Sequence, residues 1–172
     1  MPCILSCFNA YARDTHLTKL TKGTVAANGL LPSVVKIINE NWQPGDQSTE
    51  IAYRDSLLDF LRDTAPEGCQ VEREYRHGGT TTDIFVSWKG FLSNDELFIE
   101  IKRNLEKKAA FDRLIGQLEE LGPGKHKIIL VLVGNTDRGL LGRLKARYSR
   151  FIDYHLFGPE MAIIVKGGDK DF

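Results

Sequence analysis

Residues 127–133 constrain the fold most, because this segment (KIILVLV) is an almost unbroken run of aliphatic side chains. A strand with one wet face alternates apolar and polar residues, so a continuous apolar run indicates a strand buried on both faces of a mixed sheet. The chain has 172 residues, enough for one domain with a proper core and too few for two. We therefore expect one α/β domain over residues 1–172. It would comprise an N-terminal extension or helix (1–45), a core (46–166) and a tail (167–172).

A second apolar segment, residues 97–102 (LFIEIK), carries an acid and a base. Side chains alternate along a strand, so Glu100 and Lys102 point to one face and Ile99 and Ile101 to the other. Two ionisable groups in so apolar a strand are costly to bury unless something compensates their charge. A metal ion is one such partner.

Residues 80–88 (TTTDIFVSW) also predict a strand, since they are rich in β-branched and aromatic side chains. Turn-forming residues separate the two strands, which predicts an antiparallel hairpin. A register that folds about residues 91 and 92 sets Asp83 opposite Glu100 and Phe85 opposite Phe98. The facing carboxylates would repel each other, and a divalent cation would relieve this by sharing their oxygens. With Lys102 beside a metal-bound water, the group suits hydrolysis of a phosphodiester.

Asp83, followed by Glu100-Ile101-Lys102 on the next strand, resembles the PD-(D/E)xK nuclease superfamily. The resemblance covers roughly residues 50–133 and departs at Thr82, which stands where the name puts a proline. It implies an α/β fold with a restriction endonuclease-like αβββαβ core, in which helices flank a central mixed sheet. An extra N-terminal helical segment would precede this core.

The resemblance also implies a Mg²⁺-dependent deoxyribonuclease of the restriction, repair or recombination type, with Mn²⁺ as a substitute. Asp83 and Glu100 would bind the metal, the Ile101 carbonyl would add a ligand, and Lys102 would position or activate the attacking water. DNA is the expected partner, because most of the superfamily acts on it. Cutting both strands would require a homodimer or successive nicks.

Two further residues are candidates for the same site. Glu50 lies on the apolar stripe of a helix predicted over residues 50–63, which Ser48 or Thr49 can cap, and many superfamily members have an additional acid near the metal there. An ion pair with Arg54, four residues on, explains Glu50 equally well. Gln117 lies at the margin of the stripe of a helix predicted over residues 105–121. It would face the site, or else be half-buried and bonded to backbone.

The formal net charge is zero, so nucleic-acid binding must come from local patches. The sequence offers two sets of candidate phosphate contacts. One follows the first predicted strand and its Gly-Gly turn, and the other is a stripe on a helix predicted over residues 137–151: Arg73, Arg76 and His77; Arg143, Arg147 and Arg150. Charges on an exposed strand or helix face are more often simply solvated.

The three cysteines, Cys3, Cys7 and Cys69, are an odd number without zinc-site spacing. There is no signal peptide and no apolar run long enough for a bilayer, so we expect a cytoplasmic protein that does not contact membranes. A competing hypothesis is a catalytically inactive nuclease fold that binds nucleic acid or a protein partner. In that case Lys102 would form a salt bridge with Glu100 or Asp83.

Overall fold

A computed structural model describes residues 29–65, 68–90, 94–153 and 159–167. These ranges contain four helices and five strands, in this order: α1 (Leu30–Asn41), α2 (Glu50–Thr64), β1 (Cys69–His77), β2 (Thr80–Lys89), β3 (Asn94–Leu105), α3 (Lys108–Leu121), β4 (Lys127–Thr136), α4 (Arg138–Ile152) and β5 (Met161–Lys166). Residues 1–28, most of the expected N-terminal extension, lie outside the described part. So do residues 91 and 92, where the hairpin was expected to turn, and residues 168–172 of the tail.

The five strands form one mixed sheet in the order β1-β2-β3-β4-β5. Strands β1, β2 and β3 are antiparallel neighbours, whereas β4 and β5 add in parallel to β3. Strand β4 is paired on both sides and its apolar run is buried, as its composition predicts. The chain is therefore an α/β protein with a mixed sheet flanked by helices.

Two apolar cores lie on opposite faces of this sheet. Helices α1 and α2 pack on one face, over Leu97, Ile99 and Ile101 of β3, and we call this the first core. Helices α3 and α4 pack on the other face, over Phe85 and Phe98, and we call this the second core. The predicted alternation along β3 is thus confirmed. The predicted pairing of Phe85 with Phe98 is confirmed as well, whereas the ladder ends at Ile84 and Ile99, one residue before Asp83 and Glu100.

One predicted boundary is wrong. A helix was expected to start near residue 105, but Leu105 is the last residue of β3 and α3 begins at Lys108. Asn104 explains the difference, because its left-handed backbone (φ 54°) shifts the register at the end of the strand. This shift turns Leu105 into the second core. Gly134 beside it also has positive φ, and a side chain there would collide with Oδ1 of Asn104.

Glu74 is the other non-glycine residue with positive φ in the described ranges (φ 50°). Before it, Val71 packs against the first core; after it, Tyr75 packs against the second, where its ring stacks on Phe85 at 3.9 Å between centroids. A left-handed residue interrupts the alternation of a strand, since it rotates the chain that follows. Strand β1 therefore contributes side chains to the cores on both faces of the sheet. It lies at an edge of the sheet.

Candidate active site between strands β2 and β3

Strands β2 and β3 remain paired as far as Ile84 and Ile99 and then separate. The hydroxyl of Thr82 donates a hydrogen bond to the Ile99 carbonyl at 2.9 Å, and Thr82 itself is buried. The residue that stands in place of the motif's proline thus ties β2 to β3 where the strands divide. Beyond this point the edge of β3 that faces β2 has no strand partner in the described ranges.

Two carboxylates bind the backbone of β3 along that edge. Oδ2 of Asp83 accepts a hydrogen bond from the Ile101 N–H at 2.9 Å, and Oε2 of Glu50 accepts one from the Arg103 N–H at 2.9 Å. Residues two apart in a strand direct their N–H groups to the same side, so both acids lie at one edge. Glu50 reaches it from the first turn of α2, whose N-cap is Thr49.

Lys102 and Glu100 complete the cluster. The Lys102 ammonium donates to Oε1 of Glu50 at 3.0 Å. Glu100, two residues earlier, is only 5% exposed and accepts a hydrogen bond from the backbone N–H of Asp83. The structure therefore brings Glu50, Asp83, Glu100 and Lys102 together. The ion pair of Glu50 is with Lys102, so the expected alternative pair with Arg54 is wrong.

Burial dominates the electrostatics of the two central acids. Desolvation, and then the negative charge of Asp83, raise the pKa of Glu100 to about 8. Desolvation also raises the pKa of Asp83, against the smaller opposing effect of its bond to the Ile101 N–H. Oε2 of Glu100 is buried and has no hydrogen-bond partner among the described residues. The hydrogen bond of the Lys102 ammonium goes to Glu50, and its positive charge lowers the pKa values of Asp83 and Glu100 less than desolvation raises them.

The fit of this group to a divalent metal can be tested on these contacts. The described ranges contain no group of three or more His, Cys, Asp or Glu side chains arranged to hold a metal. Mg²⁺ nevertheless often takes only one or two carboxylates and completes its octahedron with water and phosphate oxygens. Asp83 and Glu100 supply two interacting carboxylates, and Oε2 of Glu100, which has no hydrogen-bond partner among the described residues, would coordinate the cation. They fit such a cation. For Ile101, the contact observed is through its N–H, and ligation by its carbonyl stays a prediction.

Sequence reasoning considered Arg54 only as a partner of Glu50 and did not place it at the site; it is 6% exposed and lies one turn after Glu50 on α2. Its Nη1 donates to Glu74 at 2.6 Å and its Nε to Asp55 at 3.2 Å, and its charge lowers the pKa of Asp83. Arg54 therefore joins α2 to the left-handed residue of β1 beside the acid pair. A buried arginine on an otherwise apolar helix face would have been the available signal.

Gln117 does not belong to the cluster in this structure. Its side chain is exposed on α3 and makes no hydrogen bond to the described residues of the site, so the expected half-burial is wrong. A role for Gln117 in catalysis stays a prediction.

The first set of predicted phosphate contacts, Arg73, Arg76 and His77, is exposed. Arg73 lies 3.7 Å from Asp55 and 3.8 Å from Glu74, so α2 and β1 partly neutralise it. The His77 ring packs edge-on against Phe98 and against His126. Burial, and then the neighbouring His77, lower the pKa of His126.

The second set, Arg143, Arg147 and Arg150, is also exposed, on α4. Arg147 bonds to Glu119 of α3 at 3.2 Å, while Arg143 and Arg150 lie over the rings of Phe111 and Phe151. Helix α4 packs against β5, whereas the acid pair lies at β2 and β3. The three arginines are therefore away from the strands that hold the acid pair, and phosphate binding by them stays a prediction.

The fold and the site together define an α/β protein with a carboxylate–lysine cluster where two strands of a mixed sheet divide. The sequence matches no protein-family model and no curated protein. Among solved structures, the chain is similar to SfsA from Pyrococcus furiosus in complex with Ca²⁺, at 16% identity and a TM-score of 0.37. The match covers 67% of this chain and 55% of that one, so the chain spans about half the length of its structural match. A likeness this weak assigns no family. None of the helices in the described ranges is long and apolar enough to cross a lipid bilayer.

Proposed function

We propose that this protein is a metal-dependent nuclease of the PD-(D/E)xK type that hydrolyses phosphodiester bonds in DNA. One observation carries the proposal: the buried Glu100 and the half-buried Asp83 interact, both have raised pKa values, and Oε2 of Glu100 has no hydrogen-bond partner among the described residues. Two desolvated acids are unfavourable unless a cation joins them. The element order from α2 to β4, αβββαβ, supports a restriction endonuclease-like core.

Each residue of the cluster has a distinct part in this proposal. Asp83 and Glu100 would hold Mg²⁺ or Mn²⁺, which would supply positive charge to the scissile phosphate when bound. Lys102 would position the attacking water and stabilise the negative charge that develops on the phosphate oxygens. Glu50 would hold the Lys102 ammonium in place through its 3.0 Å contact. Its bond to the Arg103 N–H fixes the end of β3 at the same time.

Cleavage assays with matched lysine variants test the proposal. Supercoiled plasmid, branched DNA and single-stranded DNA would be incubated with Mg²⁺, Mn²⁺ or EDTA. We expect metal-dependent cutting that Lys102→Ala abolishes. Lys108→Ala is the control, because Glu106-Lys107-Lys108 is a second acid-x-Lys triplet and Lys108 is exposed at the start of α3. Equal cutting by wild type and Lys102→Ala would contradict the assignment of Lys102, and no cutting in any metal would contradict the nuclease.

A non-catalytic binding module is the second candidate, and the contact between Lys102 and Glu50 favours it. That ion pair and the two backbone hydrogen bonds satisfy much of the cluster without a ligand. The partner of Lys102 is Glu50, not Glu100 or Asp83 as expected for such a module. The two functions differ in Mn²⁺ binding: a nuclease should bind Mn²⁺ and lose it in Asp83→Asn. A binding module should bind none, and Lys102→Ala should reduce only its stability.

A further inference from the structure

A second group of polar side chains lies on the other face of the sheet, at the carboxyl ends of the parallel strands. Arg103 of β3 and Lys166 of β5 both align with Val133, which lies between them on β4. Alternation places both side chains on the face of the first core, with Ile101 and Ile164. Their strands are two steps apart, about 10 Å. Two long cationic side chains, Arg103 and Lys166, therefore lie on either side of Val133 on β4.

These cations have no acidic partner in the described parts of the chain. Nε of Arg103 is buried without a hydrogen bond, and the described ion pairs include neither residue. Lys166 donates to the carbonyl of Asn39 at 2.8 Å, which brings the end of α1 to this place. Two residues on, Nδ2 of Asn41 is also buried without a partner. We call Asn41, Arg103 and Lys166 the donor group.

The hydrogen-bond donors and positive charges of the donor group indicate the kind of ligand it would bind. All three side chains offer hydrogen-bond donors, and two of them carry positive charge. Nε of Arg103 and Nδ2 of Asn41 are buried donors without an acceptor among the described residues, which is costly, and an anion beside the two positive charges would supply acceptors. The carboxyl ends of parallel strands are also where α/β sheets commonly bind ligands. The donor group and the side chains of Glu100 and Lys102 lie on opposite faces of the sheet, but both sites lie at the end of β3, where the Arg103 N–H donates to Glu50 at 2.9 Å. A nucleic acid that crosses the end of this strand would reach both sites.

We propose that the donor group binds a backbone phosphate of the nucleic acid, next to the phosphate that is cleaved. This inference rests on the proposed function, because it assumes that DNA is the substrate cleaved at the carboxylate–lysine cluster. Arg103 would present its guanidinium from a fixed point, since Glu50 holds its backbone N–H. Arg103 and Lys166 would thus set substrate affinity and take no part in the chemistry.

Salt-dependent DNA binding tests the donor group without metal or catalysis. Binding of a fluorescein-labelled DNA duplex to wild type, Arg103→Met and Lys166→Met would be measured by anisotropy in EDTA over a range of salt. The slope of log K against log salt is negative, and each lost phosphate contact should reduce its magnitude by about 0.9. Affinity at low salt should fall roughly tenfold per variant, as for other charged hydrogen bonds. Arg62→Met and Lys108→Met are matched controls on exposed sites and should leave the slope unchanged.

Three outcomes would overturn the inference. The first is an unchanged slope and affinity in variants whose urea unfolding matches wild type. The second would be seen if binding of inorganic phosphate were also measured and Arg103→Met or Lys166→Met lost it without any change in DNA binding. That result would indicate a small-anion site. The third is an equal loss of affinity in the control variants. If Arg103→Met does not fold, Arg103→Gln and Lys166→Met provide the same slope measurement.

The inference can fail separately from the nuclease. A wild type that cleaves DNA while Arg103→Met and Lys166→Met bind with unaltered slopes would contradict the donor group alone. A wild type that never cleaves while these variants reduce the magnitude of the salt slope would contradict the nuclease and support phosphate binding.

Discussion

Raising the pH of the metal-free protein from about 5 to about 8 should lower its free energy of unfolding, because Glu100 must then ionise in a buried site. Its pKa is raised from 4.5 to about 8 in the folded protein. Between these values the folded state binds more protons than the unfolded state, so stability falls as pH rises. Below about pH 4.5 the acid is protonated in both states, and the penalty is absent.

The size of this penalty follows from the pKa of Glu100. Each pKa unit corresponds to about 1.4 kcal/mol, so the change from 4.5 to about 8 sets a ceiling of about 5 kcal/mol. Water that enters on ionisation would reduce it, and we expect a measured loss of about 2 to 5 kcal/mol. Asp83 titrates together with Glu100, so the observed midpoint belongs to the pair. The raised pKa of Asp83 acts in the same direction.

Urea unfolding followed by tryptophan fluorescence would measure this effect, since Trp42 and Trp88 both pack in the first core. The comparison is between wild type and Glu100→Gln, which keeps the shape of the protonated acid and cannot ionise. Subtracting the two curves removes the titration of groups that do not interact with Glu100, and the difference reports Glu100 together with its effect on Asp83. In EDTA the wild type should lose stability between about pH 5 and 8 relative to the variant, and added Mg²⁺ or Mn²⁺ should restore it.

Parallel pH curves for wild type and Glu100→Gln in EDTA would refute this reasoning, because they would mean that Glu100 is not desolvated in the folded state. Restoration by Mg²⁺ in the variant as strongly as in the wild type would place the metal elsewhere.

Three further predictions concern local contacts. Thr82→Val should destabilise the protein by about 1 to 3 kcal/mol, since it leaves the buried Ile99 carbonyl without its donor; urea unfolding beside the exposed Thr81→Val checks this, and equal effects would contradict it. Leu130→Ala in β4 should cost about 2 to 5 kcal/mol because the residue is fully buried, and a loss below about 1 kcal/mol in the same assay would argue against a packed second core. Burial raises the pKa of the Cys69 thiol to about 11. In a Cys3→Ser, Cys7→Ser variant, iodoacetamide should therefore label Cys69 far more slowly than it labels free cysteine. Labelling at the rate of free cysteine would show that the thiol is exposed.

The sequence alone determined those features that depend on local periodicity. The apolar run of β4 predicted a strand buried on both faces, and alternation along β3 placed Glu100 and Lys102 on one face. The register predicted for residues 80–88 and 97–102 includes the pair of Phe85 with Phe98, which is present between β2 and β3. These features follow from neighbours within a few residues, so a single sequence carries them.

Only the tertiary structure decided which partners the site residues have. Glu50 and Lys102 are 52 residues apart, and they meet because α2 packs with its first turn at the edge that β2 leaves open. From the sequence, Arg54 was an equally good partner for Glu50, since both lie on one helix face. The left-handed backbone of Glu74 and the donors of the second face likewise depend on contacts between distant elements. Periodicity fixes the face on which a side chain lies, whereas its partner depends on how the helices pack on the sheet.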